Sequence, residues 1–327
     1  MIRARAPVRI DFAGGWTDVP RFYKEHAGSV TNAAINIYTY ASVSFQEVGI
    51  SIHNINTRQK FFAQRQQDIV YNGELDIPKA VCKKLGVDNV SIVISTEAPI
   101  GSGLGTSASL ETALITALLQ YKGYRECASK VAEIAFEVET LELGLNSGKQ
   151  DQYASSLGGI RTYYFDEGSV RLGIASPSKE FCMLLEKCLV LCWTGTSRLS
   201  SDIHSLVYEN YDKGLNKHAL AQLRYSSLLA EDALFCNNLE ALADAVNVSW
   251  QAQKSLHPSI DDEVTHRLFD AAIESKAFLA GKATGAGGGC LLFVAKPDME
   301  VVLKEFLTKA GASIINFSFD FAGARVF

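Results

Sequence analysis

The chain has 327 residues, 47% of them hydrophobic and 20% charged, with a formal net charge of −5. That balance allows a substantial core and excludes a disordered chain, and the lack of any basic block excludes a general nucleic-acid binder. Apolar stretches such as 188–193 (CLVLCW) are too short to span a bilayer, so no membrane is expected as a partner either.

Seven scattered cysteines without a C-x-x-C pattern fit small buried residues of a reduced protein. The basic start, 1–7, lacks the apolar core of a signal peptide, so a cytoplasmic protein of one large or two ordinary domains is expected.

In chain order, 9–12 reads as a strand running into 13–18 (AGGWTD), a loop rich in turn residues. Strands are expected at 38–45 and 48–54, then a polar segment over 56–68 and a helix over 75–86. A strand at 90–95 precedes 99–109 (PIGSGLGTSAS), and Leu110, Leu114, Ala117 and Leu118 then recur at helical spacing over 106–121.

The alternating glycines of 101–105 let the backbone turn tightly and bring N–H groups close to an anion. The helix N-terminus adds its own unpaired donors and the positive end of its dipole. A phosphate cradle is therefore expected, in which Thr106 and Ser107 could cap the helix or ligate a metal. It is neither a Walker A loop, since no lysine follows Gly105, nor a dinucleotide fingerprint, since Thr106 stands where a glycine is needed. The plainer alternative is a tightly packed helix cap that binds nothing.

A helix over 126–144 and a hairpin from 158–165 and 170–172 follow. A second unit beginning near 182 carries a strand at 188–193 and helices at 199–212, 216–236, 239–254 and 261–274. It continues with a strand at 290–295, a helix at 298–310 and a closing strand at 313–319. Strands mixed with helices without βαβ repetition indicate an α+β fold. The cluster 281–290 (GKATGAGGGC) opens a strand rather than a helix, which argues against a Rossmann loop. It has more glycines than a turn needs, so another loop or a ligand is expected to approach it closely.

Residues 9–11 (RID) with 14–18 (GGWTD), the cradle 99–109, and 282–290 (KATGAGGGC) resemble the three signature motifs of the GHMP kinases, in the family's order and along the whole chain. The resemblance implies an N-terminal domain like the second domain of ribosomal protein S5, over 1–181, and a ferredoxin-like C-terminal domain, over 182–327. It implies ATP between them, bound by Gly101, Ser102, Gly103, Leu104, Gly105, Thr106 and Ser107 with Gly285, Ala286 and Gly287.

Phosphoryl transfer also needs an oriented nucleophile and positive charge where the transferred group passes. The segment 148–153 (GKQDQY) resembles the one carrying the family's catalytic aspartate, so Asp151 is the expected base; read alone, it could be a helix N-cap. Arg9 matches the motif's basic residue. Ser107 matches a Mg²⁺-ligating hydroxyl, and Glu139 is preferred over Glu137 and Glu142 as its carboxylate partner.

The loop Gly14, Gly15, Trp16, Thr17, Asp18 is expected to contact the substrate, but Gly15 and Trp16 depart from galactokinases. The wider pattern, including 148–154, 193–201 and 249–254, resembles kinases of D-glycero-D-manno-heptose 7-phosphate, whereas Trp16 is similar to L-fucose kinases. Lys149 and, better, Arg198 are candidates for an acceptor phosphate. The implied activity is ATP- and Mg²⁺-dependent phosphorylation of the anomeric hydroxyl of a small-molecule sugar or sugar phosphate. A non-catalytic sensor of ATP and sugar is the rival from another class.

Overall fold

Strand β1 (Ile2–Ala13) is buried along most of its length and runs through the middle of the molecule. Its Val8, Ile10 and Phe12 enter the core, while Arg9 and Asp11, on the alternate positions, are buried on the other side. The coordinates are a computed structural model that describes every residue except 198, 199 and 288 and the side chains of 200–202.

After α1 (Pro20–His26), where Pro20 suits the first helical turn, the chain forms the long strand β2 (Gly28–Phe45). This strand pairs antiparallel with β1, with register shifts at Pro7/Val8 and Asp11/Ala13. Its length lets it serve two further neighbours: β5 (Val90–Thr96) along its second half and β6 (Ile160–Phe165) along its first. Strand β3 (Ile50–Asn54) lies parallel to β5, and β4 (Lys60–Ala63) is antiparallel to β3. Strand β7 (Val170–Leu172) pairs with β6. Helices α2 (Asp76–Leu85), α3 (Thr106–Tyr121), α4 (Ala128–Glu137) and α5 (Gln150–Leu157) accompany this sheet, α4 running on into a π-helical turn, Val138–Glu142.

Helix α6 (Lys179–Cys188) leads to a second sheet, built from β8 (Leu189–Trp193), β9 (Phe278–Ala283), β10 (Cys290–Ala295) and β11 (Ser313–Ile315). Its order is β11-β8-β10-β9, antiparallel throughout. Between β8 and β9 lie α7 (Ser200–Asp212), α8 (Lys217–Phe235), α9 (Leu239–Lys254) and α10 (Glu263–Glu274), and α11 (Glu300–Lys309) precedes β11. The last strand, β12 (Arg325–Val326), returns to the first sheet beside β1.

The two sheets share a core. Ile10, Phe12 and Ile35 from the first pack with Leu191, Leu292 and Val294 from the second and with Val246 of α9. The α+β class is thus realised in two sheets with helices segregated around them.

Several elements differ from expectation for identifiable reasons. The expected strand 38–45 is only the second half of β2. The first half is buried on nearly every residue and so shows no alternation. Strand β4 falls inside the segment expected to be polar, and neither α1 nor β9 was foreseen. The expected strand 313–319 is the short β11 plus a single bridge from Ile35 to Phe319. Among the described residues no helix is long and apolar enough to cross a membrane.

Candidate active site

The cradle forms where β5 leads through a loop into α3. Gly101, Gly103 and Gly105 all take left-handed φ angles, 73°, 72° and 75°, which a side chain would strain. Gly105 is itself the N-cap of α3 and no side chain caps that end, so its first N–H groups remain directed at the loop. Thr106 and Ser107 therefore do not act as caps. Ser107 is exposed, whereas Ser102 and Leu104 are buried beneath the loop.

The second glycine cluster backs this cradle. A Cβ on Gly289 would lie 2.3 Å from the Gly101 carbonyl oxygen, and one on Gly285 would lie 2.7 Å from that of Gly103. The Cys290 N–H donates to the Ser102 carbonyl at 2.9 Å. The close approach expected at 281–290 is thus made by the first glycine loop. Ala286 is buried here and Gly287 packs on Ile260, while Gly288 lies outside the described residues.

Arg9 connects the cradle to the expected base. Only 3% exposed, its guanidinium grips Asp151 with both arms, Nε to Oδ1 at 2.7 Å and Nη2 to Oδ2 at 2.9 Å. Its remaining arm donates to the Gly103 carbonyl at 2.6 Å. Burial works against this charge, but Asp151, Asp11 and Asp18 outweigh it and hold the arginine above its ordinary value. Asp151 sits in the first turn of α5, whose N-cap is Lys149, so the capping alternative for Asp151 is corrected. Gly105 is against it: a Cβ there would stand 3.0 Å from Asp151 Oδ2.

Two positions along β1 from Arg9, Asp11 is paired with Lys282 of β9, both fully buried. Burial opposes ionisation of both. Lys282 and Arg9 nevertheless hold the Asp11 carboxyl below its usual range, while burial leaves the Lys282 ammonium below its own. The Gly285 N–H also donates to Asp11, at 3.3 Å.

In the loop 14–18, Gly14 has φ 89° and its absent Cβ would strike the Ser29 carbonyl; at Gly15 a Cβ would crowd Asp11. The Thr17 hydroxyl is buried and donates to the carbonyls of Gly14 and Ser29, so it shapes the loop. Trp16 is buried at φ 80°, its indole N–H without a partner among the described residues. The Asp18 carboxylate accepts from Gln150, from the backbone N–H at 3.0 Å and from Nε2 at 3.2 Å. Burial, with repulsion from Asp151, pushes this carboxyl up to about 6.

The acceptor-phosphate candidates fare differently. Both oxygens of Glu133 hold the Lys149 ammonium, at 2.8 and 2.9 Å, so its charge is compensated there. Arg198 lies outside the described residues.

Glu139 is buried in the π-helical turn, where its carboxylate accepts from the Ser147 hydroxyl and from Gln152 Nε2 at 2.8 Å. Burial, and then Asp151, raise its carboxyl above the ordinary value. Ser107 is near enough to oppose that rise, and the two oxygens are a hard pair of the kind Mg²⁺ takes when phosphates and water fill its other positions. No group of three or more His, Cys, Asp or Glu suited to a metal occurs among the described residues.

Two further groups belong to this neighbourhood and were not anticipated. Glu111 of α3 is fully buried with both oxygens unpartnered, and burial together with Glu139 and Asp151 holds it well above the carboxylate range. As the only charged residue in the apolar run 106–121, it was detectable in the sequence. His204 of α7 stands edge-on to Trp16, with ring centroids 4.8 Å apart. No sequence signal marked it, because α7 reaches the loop 14–18 only through the tertiary fold.

A glycine cradle on a helix N-terminus, with a carboxylate clamped by a buried arginine at its mouth, is the equipment of a phosphotransferase. Residues 75–159 match the GHMP kinases N terminal domain. The chain is 26% identical to a D-glycero-alpha-D-manno-heptose 7-phosphate kinase of Campylobacter jejuni, over 99% of this chain and 98% of that one. It is 28% identical to a bifunctional fucokinase/GDP-fucose pyrophosphorylase of Arabidopsis thaliana, over 91% of this chain but only 30% of that longer one. The crystal structure of a D-glycero-D-manno-heptose 1-phosphate kinase from Bacteriodes thetaiotaomicron shares the fold, with a TM-score of 0.83 at 24% identity over 100% of this chain and 99% of that one. The similarity supports an ATP-dependent phosphotransferase acting on a sugar hydroxyl, with a GHMP kinase N-terminal domain over 75–159.

Proposed function

We propose that the protein transfers the γ-phosphate of ATP to the anomeric hydroxyl of a sugar, with D-glycero-D-manno-heptose 7-phosphate as the acceptor. The observation that carries the mechanism is the bidentate Arg9–Asp151 pair at the mouth of the cradle. In this reading Asp151 orients the acceptor hydroxyl and takes its proton, while Arg9 fixes the Asp151 carboxylate in place and offsets charge on the group being transferred. The backbone N–H groups of 101–107 hold the phosphates, backed by 285–287. Asp18 and the loop 14–18 bind the acceptor. Ser107 and Glu139 would hold Mg²⁺, which when bound neutralises phosphate charge. The division into 1–181 and 182–327 is proposed, with the two glycine loops meeting where the parts join.

The acceptor assignment is supported by full-length similarity to the Campylobacter jejuni heptose 7-phosphate kinase. One observation favours a second reading. With Lys149 neutralised by Glu133, one of the two cations proposed for an acceptor phosphate is spent, which suits an unphosphorylated sugar such as L-fucose.

The test is ADP release with Mg-ATP across heptose 7-phosphate, sedoheptulose 7-phosphate, L-fucose, galactose and mevalonate. Turnover confined to heptose 7-phosphate is the expected result; turnover on L-fucose alone keeps the chemistry and overturns the acceptor. Asp151→Asn is expected to lower kcat by roughly 10²–10⁴ while ATP still binds, and near-normal turnover would remove Asp151 as the base.

A further inference from the structure

We propose that His204 is an acceptor-binding residue, whose Nε2 accepts a hydrogen bond from a hydroxyl of the sugar and so helps to select it. The proposal deepens the sugar-kinase reading and rests on it.

Position comes first. Helix α7 closes over the loop 14–18, with His204 edge-on to Trp16 at 4.8 Å and 67° and Tyr208 one turn further along the same face. The imidazole also bonds to the Asn146 carbonyl, in the segment leading into α5, at 2.9 Å. It lies close enough to Asp151 to feel its charge. Three segments that border the reacting centre thus converge on one ring: the loop holding Asp18, the approach to Asp151, and α7.

Chemistry then fixes what the ring can do. A backbone carbonyl only accepts, so the contact with Asn146 requires the proton on Nδ1. The neutral ring then carries a lone pair on Nε2, for which the described residues supply no partner. Burial disfavours a second proton and lowers the imidazole below its ordinary value, so neutral pH keeps that lone pair available. A lone-pair acceptor is satisfied by a hydroxyl and repelled by a phosphate. His204 therefore reads the hydroxyl face of the acceptor.

The ring is held in place as well. Trp16 sits in the left-handed region at φ 80°, a conformation a bulky residue adopts only when its surroundings enforce it. It is buried in an apolar cluster that includes Val19, Phe22 and Ile203, and so offers the imidazole a packed wall.

The experiment compares His204→Asn and His204→Gln with the unaltered chain, using the sugar it turns over best. The asparagine amide can still donate to the Asn146 carbonyl but places nothing at Nε2. The glutamine amide reaches the Nε2 position. His204→Asn is expected to raise the acceptor KM on the order of tenfold, the loss of one hydrogen bond, with the ATP KM and the thermal midpoint little changed. His204→Gln is expected to recover much of the acceptor KM.

An unchanged acceptor KM in His204→Asn overturns the proposal, as does a His204→Gln protein that folds and binds ATP yet is no better than His204→Asn. If the unaltered chain phosphorylates no sugar at all, the kinase reading falls and this inference falls with it. That failure is distinct from loss in the variants alone.

Discussion

Asp18 carries an electrostatic load that its neighbours only partly relieve. Its carboxyl is buried against Asp151, and the two bonds from Gln150 do not restore an ordinary affinity for the proton. The folded chain therefore binds this proton more tightly than the unfolded chain. The associated stability is fully present below the ordinary value of 3.8 and is lost as the pH rises through about 6. An Asp18→Asn variant escapes that loss. Its amide can also donate to the Gln150 Oε1, which is buried without a partner among the described residues. Chemical denaturation at a series of pH values should show the two proteins alike near pH 4. Near pH 8 the variant should be more stable by up to about 3 kcal/mol. A constant difference across that range would remove Asp18 as the group responsible. The variant is also expected to bind the acceptor poorly, so extra stability and lost function would appear together, as at many sites built for chemistry. The residue was identifiable from its motif. Its raised affinity for the proton was not, because that follows first from burial in the folded chain and then from Asp151, which is distant in sequence.

The glycine clusters show how far a local pattern can be read. The alternation over 101–105 indicated a tight loop before a helix, since backbone freedom and helix N-termini are local properties, and the structure has both. The cluster 281–290 was legible as a place of close approach, but only the paired strands of the second sheet bring it against the first loop. That contact is testable. Gly123 and Gly289 share nearly the same φ, 79° and 82°, yet nothing lies near a Cβ at Gly123, whereas one at Gly289 meets the Gly101 carbonyl. Gly123→Ala should cost only left-handed strain, about 1–2 kcal/mol. Gly289→Ala should cost roughly 4 kcal/mol or more and weaken ATP binding. Equal losses by thermal unfolding would mean that the two glycine loops do not pack as described. Strand β2 shows the opposite limit: its first half was illegible because burial on both faces erases the period of two that marks a strand.

The molecule as a whole is held at its centre by charge as well as by apolar packing. Asp11 on β1 and Lys282 on β9 join the first strand of one sheet to an edge strand of the other, while Ile10, Phe12, Leu292 and Val294 form the shared apolar core. Lys282→Met strands a buried carboxylate and is expected to cost about 3–5 kcal/mol, whereas pairing it with Asp11→Asn should restore much of that loss. A double-mutant cycle showing simple additivity would mean that the pair does not couple the two sheets. The sequence by itself determined the α+β class, through its pattern of strands and helices, and the tight glycine loop before a helix, because periodicity and backbone freedom are local; Arg9 and Asp151 it offered only through the kinase resemblance. Only the tertiary structure decided the shared core, the partnering of the two glycine loops, the compensation of Lys149 by Glu133 and the arrival of His204 beside Trp16. Those depend on which buried surfaces meet, and that is settled by packing over the whole chain rather than by neighbours along it.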